Sequence, residues 1–129
     1  MTLSSVLIVD DSPMMRKFIA RVLAAAGFAE ARHYFARDGN EAFEVLSGQA
    51  VDLVISDINM PNLDGEGLLR RLGEDDRLKT VPVLMVSSDS THSRAERVLQ
   101  MGARGYIAKP FHPEDLKAAM ERILGVRHD

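Results

Sequence analysis

Apolar positions along the chain follow two rhythms. Val6-Leu7-Ile8-Val9, Leu53-Val54-Ile55 and the stretch from Val81 to Val86 are short apolar runs rich in β-branched residues. Runs of this kind predict strands buried on both faces. Ala31 to Ala36 and Gly105-Tyr106-Ile107-Ala108 read as two further strands. Between them the apolar residues recur at helical spacing. Ser12-Pro13 supplies an N-cap and a first-turn proline for a helix in which Met14, Met15, Phe18, Ile19, Val22 and Leu23 recur at helical spacing and which stops at Gly27. Asp38-Gly39 turns and Asn40 caps a short helix through Ala42, Phe43, Val45 and Leu46 to Gly48. Gly65 to Leu72, Arg94 to Met101 and a last helix opened by Pro113 complete the set.

Five strand–helix units in alternation predict an α/β fold. Right-handed crossovers then require a parallel sheet with helices on both faces. The length, 129 residues, suits one domain over 1–129. Asp10 and Asp11, Asp57, Ser87 and Lys109 each lie at or just after the carboxyl end of a strand. In open α/β sheets that edge is where ligands bind. Each carboxylate taken alone could simply cap a turn. Four separate segments delivering polar groups to one edge are harder to explain by capping.

Composition narrows the chemistry. There is no cysteine, which excludes disulfides and thiolate metal sites. Sixteen basic against nineteen acidic residues give a net charge of -3, which argues against a nucleic-acid partner. No apolar run approaches a membrane span, and the first residues lack a signal-peptide pattern, so the cytoplasm is the expected compartment. His33, His92, His112 and His128 are scattered and read as surface residues, not ligands. Three crowded carboxylates repel and call for a cation. An all-oxygen, carboxylate-rich site suits Mg²⁺. Carboxylate, Mg²⁺, the Lys109 ammonium and the Ser87 hydroxyl are together what a phosphoryl group requires, with an aspartyl phosphate as product.

These residues and spacings resemble the receiver domain of bacterial response regulators. Asp57-Ile58-Asn59-Met60-Pro61-Asn62-Leu63-Asp64-Gly65 and Gly102 to Phe111 are most similar to single-domain chemotaxis regulators of that family. The resemblance implies a flavodoxin-like (βα)5 three-layer sandwich with strand order 2-1-3-4-5. It implies that Asp57 accepts phosphate from a histidine kinase. It makes the side chains of Asp11 and Asp57, the backbone carbonyl of Asn59 and, through water, Asp10 the Mg²⁺ ligands. Lys109 would pair with the phosphate, aimed inward by a cis bond to Pro110. Ser87 and Tyr106 would form the switch, and Asn59 and Asp89 would tune hydrolysis. Asp64 is expected to be a structural turn residue. Two positions depart from the family pattern: Ser87 stands where threonine is commoner, and Ser88 where a smaller residue is usual.

The expected role is a monomeric stand-alone regulator with no enzymatic turnover beyond its own phosphorylation and dephosphorylation. It would receive phosphate from a kinase and bind an effector on the face carrying Tyr106. A flagellar motor switch, a phosphorelay and a type IV pilus system are candidate outputs. The receiver half of a longer regulator is the alternative. An aspartate-nucleophile phosphatase needs a second aspartate where Asn59 stands. A flavin-binding protein would place phosphate in the first loop, where Asp10 and Asp11 repel it.

Overall fold

The computed structural model describes residues 3–88 and 92–125, with the side chain of His92 excepted. The elements, in chain order, are β1 (Ser5–Val9), α1 (Pro13–Leu23), β2 (Arg32–Ala36), α2 (Gly39–Gly48), β3 (Leu53–Asp57), α3 (Gly65–Gly73), β4 (Val83–Ser87), α4 (His92–Gln100), β5 (Gly105–Ala108) and α5 (Pro113–Leu124). The strands form one parallel sheet in the order β2-β1-β3-β4-β5. This is the expected flavodoxin-like three-layer arrangement.

The two faces separate by strand periodicity. Val6 and Ile8, Leu53 and Ile55, and Leu84 and Val86 point to one side, where α1 and α5 contribute Ile19, Leu23, Leu116 and Met120. Leu7 and Val9, Val54, and Val83 and Met85 point to the other, against Leu46, Leu68, Leu72 and Val98 of α2, α3 and α4. All five residues of each of β1, β3 and β4 are buried, as the continuous apolar runs predict.

Local signals hold at most ends. Ser12 caps α1 by accepting from the Met15 N–H at 3.2 Å, with Pro13 in the first turn. Asp64 caps α3 by accepting from the Gly67 N–H at 2.8 Å, the structural role expected of it. Three readings shift. Asp38, not Asn40, caps α2: its Oδ1 accepts from the Glu41 N–H at 2.8 Å. β4 begins at Val83, not Val81, because Pro82 has no N–H to give a ladder, although its carbonyl still accepts from Val54. Helix α1 ends at Leu23 and passes into a wider π-type turn over Ala24–Phe28, where Gly27 takes φ 105°. Met14 and Phe18 do not point into the core; they are 81% and 41% exposed.

Candidate functional site

The corner after β1 holds Asp10 from four sides. Its N–H donates to the Ala36 carbonyl at 3.0 Å, and its own carbonyl accepts from the Arg16 guanidinium at 2.7 Å. Oδ1 accepts from the Ser12 N–H at 3.0 Å, and Oδ2 from Lys109 Nζ at 3.2 Å. Asp10 is therefore buried and aimed, while Asp11 beside it is exposed. Asp57 closes β3 and is also buried; Oδ1 accepts from the Ile58 N–H at 2.9 Å and lies 3.5 Å from Lys109 Nζ. One oxygen from each of Asp10, Asp11 and Asp57 lies within 4.8 Å of the others, a group able to hold a metal ion.

Lys109 reaches the acids from the far end of the chain. Its N–H donates to the Ser87 carbonyl at 2.7 Å, continuing the β4–β5 ladder by one residue. The Lys109–Pro110 bond is cis, in line with the resemblance. Ser87 itself is fully buried at the end of β4. Three carboxylates against one ammonium leave an excess of negative charge. Burial pushes the Asp57 carboxyl above its ordinary range, with Lys109 pulling it down and Asp10 adding to the rise. A hard divalent cation would relieve that imbalance, and the all-oxygen donor set fits one.

The loop from Asp57 to α3 is tight. Gly65 donates to the Ile58 carbonyl at 2.8 Å, and a Cβ at Gly65 would stand 2.6 Å from the Asp57 carbonyl oxygen. Asn62, at φ 66°, donates to Asp38 Oδ2 at 2.8 Å and ties this loop to the start of α2.

The family model for the response regulator receiver domain matches residues 6–121. The chain belongs to this family. Among curated relatives, it is 38% identical to the chemotaxis protein CheY of Pseudomonas aeruginosa over 119 residues, 92% of this chain and 94% of that protein. It is 35% identical to CheY1 of Helicobacter pylori over 120 residues, 92% of this chain and 95% of that one. Its structure matches the chemotaxis response regulator CheY4 of Vibrio cholerae with a TM-score of 0.83 at 31% identity, covering 95% and 99% of the two chains. It also matches the signal receiver domain of a signal transduction histidine kinase from Syntrophus aciditrophicus, with a TM-score of 0.81 at 32% identity, covering 98% and 94%. Receivers of this kind act in two-component signal transduction, between histidine kinases and downstream effectors.

Within this receiver, Asp10, Asp11, Asp57 and Lys109 come together, and Ser87 ends the neighbouring strand β4. Asn59 sits exposed on the loop after β3. Tyr106, on β5, is half-buried against the cluster containing Met85 and Val98, and its hydroxyl is buried with no hydrogen-bond partner among the described residues. Asp89 lies outside the described residues, as does His128. His112 is exposed as expected, but His33 is half-buried on β2, and its buried Nε2 has no hydrogen-bond partner among the described residues. Arg16, Asn62 and Glu66 were not singled out from sequence, because their partners are set by tertiary contact. No described helix is long and apolar enough to cross a membrane.

A largely apolar cavity of about 530 Å³ lies between the start of α1 and the Lys109–Phe111 segment. Met14, Met15, Phe18, Pro110 and Phe111 line it, with Lys109 at its edge. The rings of Phe18 and Phe111 meet at 5.7 Å. This accounts for the two exposed α1 residues: they face a cavity mouth rather than the sheet.

Proposed function

We propose that Asp57 is the phosphoacceptor of a response regulator that takes its phosphoryl group from a histidine kinase. The supporting observation is a buried carboxylate at a strand end, grouped with Asp10 and Asp11 and sharing Lys109 with Asp10. An Asp57 oxygen forms the new bond to phosphorus while the phosphorus–nitrogen bond of phosphohistidine breaks and its electron pair returns to the imidazole. Lys109, already between Asp10 and Asp57, supplies a cation for the transferred oxygens, and Ser87 supplies a hydroxyl. Asp10, Asp11 and Asp57, with the carbonyl of Asn59, would hold Mg²⁺. When bound, that ion balances the excess negative charge and the charge on the phosphoryl oxygens.

The donor protein would rest on the apolar mouth formed by Met14, Phe18 and Phe111, since this surface borders Lys109, which contacts Asp10 and Asp57. Ser87 and Tyr106 would carry the switch to the α4–β5–α5 face, where an effector binds. Asn59 and Asp89 would tune hydrolysis. A monomeric, cytoplasmic, CheY-like regulator is the role we infer, supported by relatives that match over most of their own length. The kinase-derived receiver among the structural matches keeps the second reading, a receiver within a longer protein, in view. We infer no catalytic turnover of external substrates.

The test is intact-mass measurement after incubation with acetyl phosphate and Mg²⁺. Wild type should gain one phosphate and Asp57→Asn none, with a native fold by circular dichroism. An adduct of equal yield on the variant overturns the assignment. Sustained turnover of a small phosphomonoester would favour a phosphatase.

A further inference from the structure

Helix α4 has the smallest apolar attachment to the core. Val98 is its one buried side chain among the described residues, whereas every other helix buries two or more. Leu99 faces solvent. The second attachment of α4 is electrostatic. Glu66, in the first turn of α3, accepts from Arg97 Nε on Oε1 at 2.8 Å and from the Arg94 guanidinium on Oε2. The two arginines are one helical turn apart, so a single carboxylate reaches both. The Glu66 side chain is 13% exposed and that of Arg97 60%, so it is the acid that is enclosed. The first turn of α3 also favours a negative charge.

The rest of this seam is open. A polar cleft of about 350 Å³, lined by Arg70, Arg97, Gln100 and Met101, runs alongside the ion pairs. Glu66 moreover follows Gly65, whose backbone is pressed against Asp57 and bonded to Ile58. The group that holds α4 is thus carried on backbone locked to the loop after Asp57.

We propose that Glu66 is a latch that fastens α4 to the start of α3 and transmits displacement of the Asp57 loop to the α4 surface. The fastening stands on the geometry alone; the transmission rests on the reading of Asp57 as phosphoacceptor. Among the described residues the Glu66 side chain bonds to Arg94 and Arg97 and to none of Asp10, Asp11, Asp57, Ser87 or Lys109, so its loss leaves the chemistry in place and removes this one connection, separate from Ser87 and Tyr106.

Hydrogen–deuterium exchange on the whole chain tests both halves. In Glu66→Gln, amides 93–100 should exchange roughly five- to tenfold faster, with other helices within about twofold of wild type. Arg97→Gln approaches the same contact from the other side, and the double variant should be no faster than Glu66→Gln alone. Added salt should accelerate α4 exchange in wild type and not in Glu66→Gln. With beryllofluoride and Mg²⁺, wild type should change its α4 exchange. Glu66→Gln should bind beryllofluoride with affinity within about twofold of wild type, yet show less than about half the wild-type α4 change, the remainder arriving through Ser87 and Tyr106. Unaltered α4 exchange in the free variant, or acceleration spread evenly over all helices, overturns the latch. A full α4 response in the variant overturns the transmission. Failure of wild type to bind beryllofluoride counts against the phosphoacceptor reading instead, and the free-protein comparison still decides the latch.

Discussion

Asp57 is a buried acid that sits in its site at a cost. Burial and Asp10 raise its pKa, and Lys109 only partly offsets them. A carboxyl whose folded pKa lies above its unfolded value binds more protons when folded. Stability therefore falls as pH rises from the ordinary carboxylate value, near 4, through the folded value, and the deficit persists at neutral pH. Asp57→Asn should accordingly raise Tm by a few degrees at pH 7 in metal-free buffer. The gain should shrink as pH is lowered towards 4, and Mg²⁺ should raise wild-type Tm more than that of the variant. Equal melting temperatures at pH 7 would mean that Lys109 balances the site fully. The residues at this edge were legible from sequence because each sits at a strand end, where topology alone brings them together. Arg16 and Asn62 were not, because their partners lie across a loop or an element whose distance no local pattern encodes.

Capping and packing decide matters at the level of elements. Asp38 and Asn40 are both cap-type residues two positions apart, and local sequence does not choose between them. The choice falls to Asp38 because its second oxygen also accepts from Asn62, on the β3–α3 loop. Phe18 and Met14 show the converse: they share the helical spacing of the buried α1 residues, but they line the cavity mouth, where Phe18 meets the outer side of the core residue Phe111. The start of α3 is the most constrained joint. Gly65→Ala would set a methyl 2.6 Å from the Asp57 carbonyl oxygen and 2.8 Å from Ile58 Cα, both backbone atoms that cannot swing aside. We expect a loss of about 2–3 kcal/mol in urea unfolding. Mg²⁺ affinity should fall as well, since the displaced backbone carries Asp57; a variant that loses stability with unchanged Mg²⁺ binding would separate the joint from the site.

The acid response belongs to the whole molecule. Hydrogen bonds from the Glu41 N–H and Asn62 hold the Asp38 carboxyl below its ordinary range, and Arg97 and Arg94 do the same for Glu66. Depressed folded values mean that these contributions are complete above the unfolded pKa and disappear as pH falls through the folded one. The protein should therefore lose stability below about pH 4, and Asp38→Asn with Glu66→Gln should flatten that acid limb in a urea–pH series. An unchanged acid limb would place the sensitive groups elsewhere. Fold class and strand positions were readable because three strands are buried on both faces and so spell continuous apolar runs. The strand order came only with the resemblance, since periodicity does not say which edge a strand joins. That order has a consequence for biosynthesis. Chains emerge N-terminus first, and here every strand after β2 adds to an already exposed edge of β1, β3 or β4. Asp10 and Asp57 follow adjacent central strands, β1 and β3, whereas Lys109 follows β5, the last strand in the chain and an edge of the sheet. Until β5 has been made the acids of the site have no Lys109, so the last strand in the chain both completes the sheet and delivers the counter-charge.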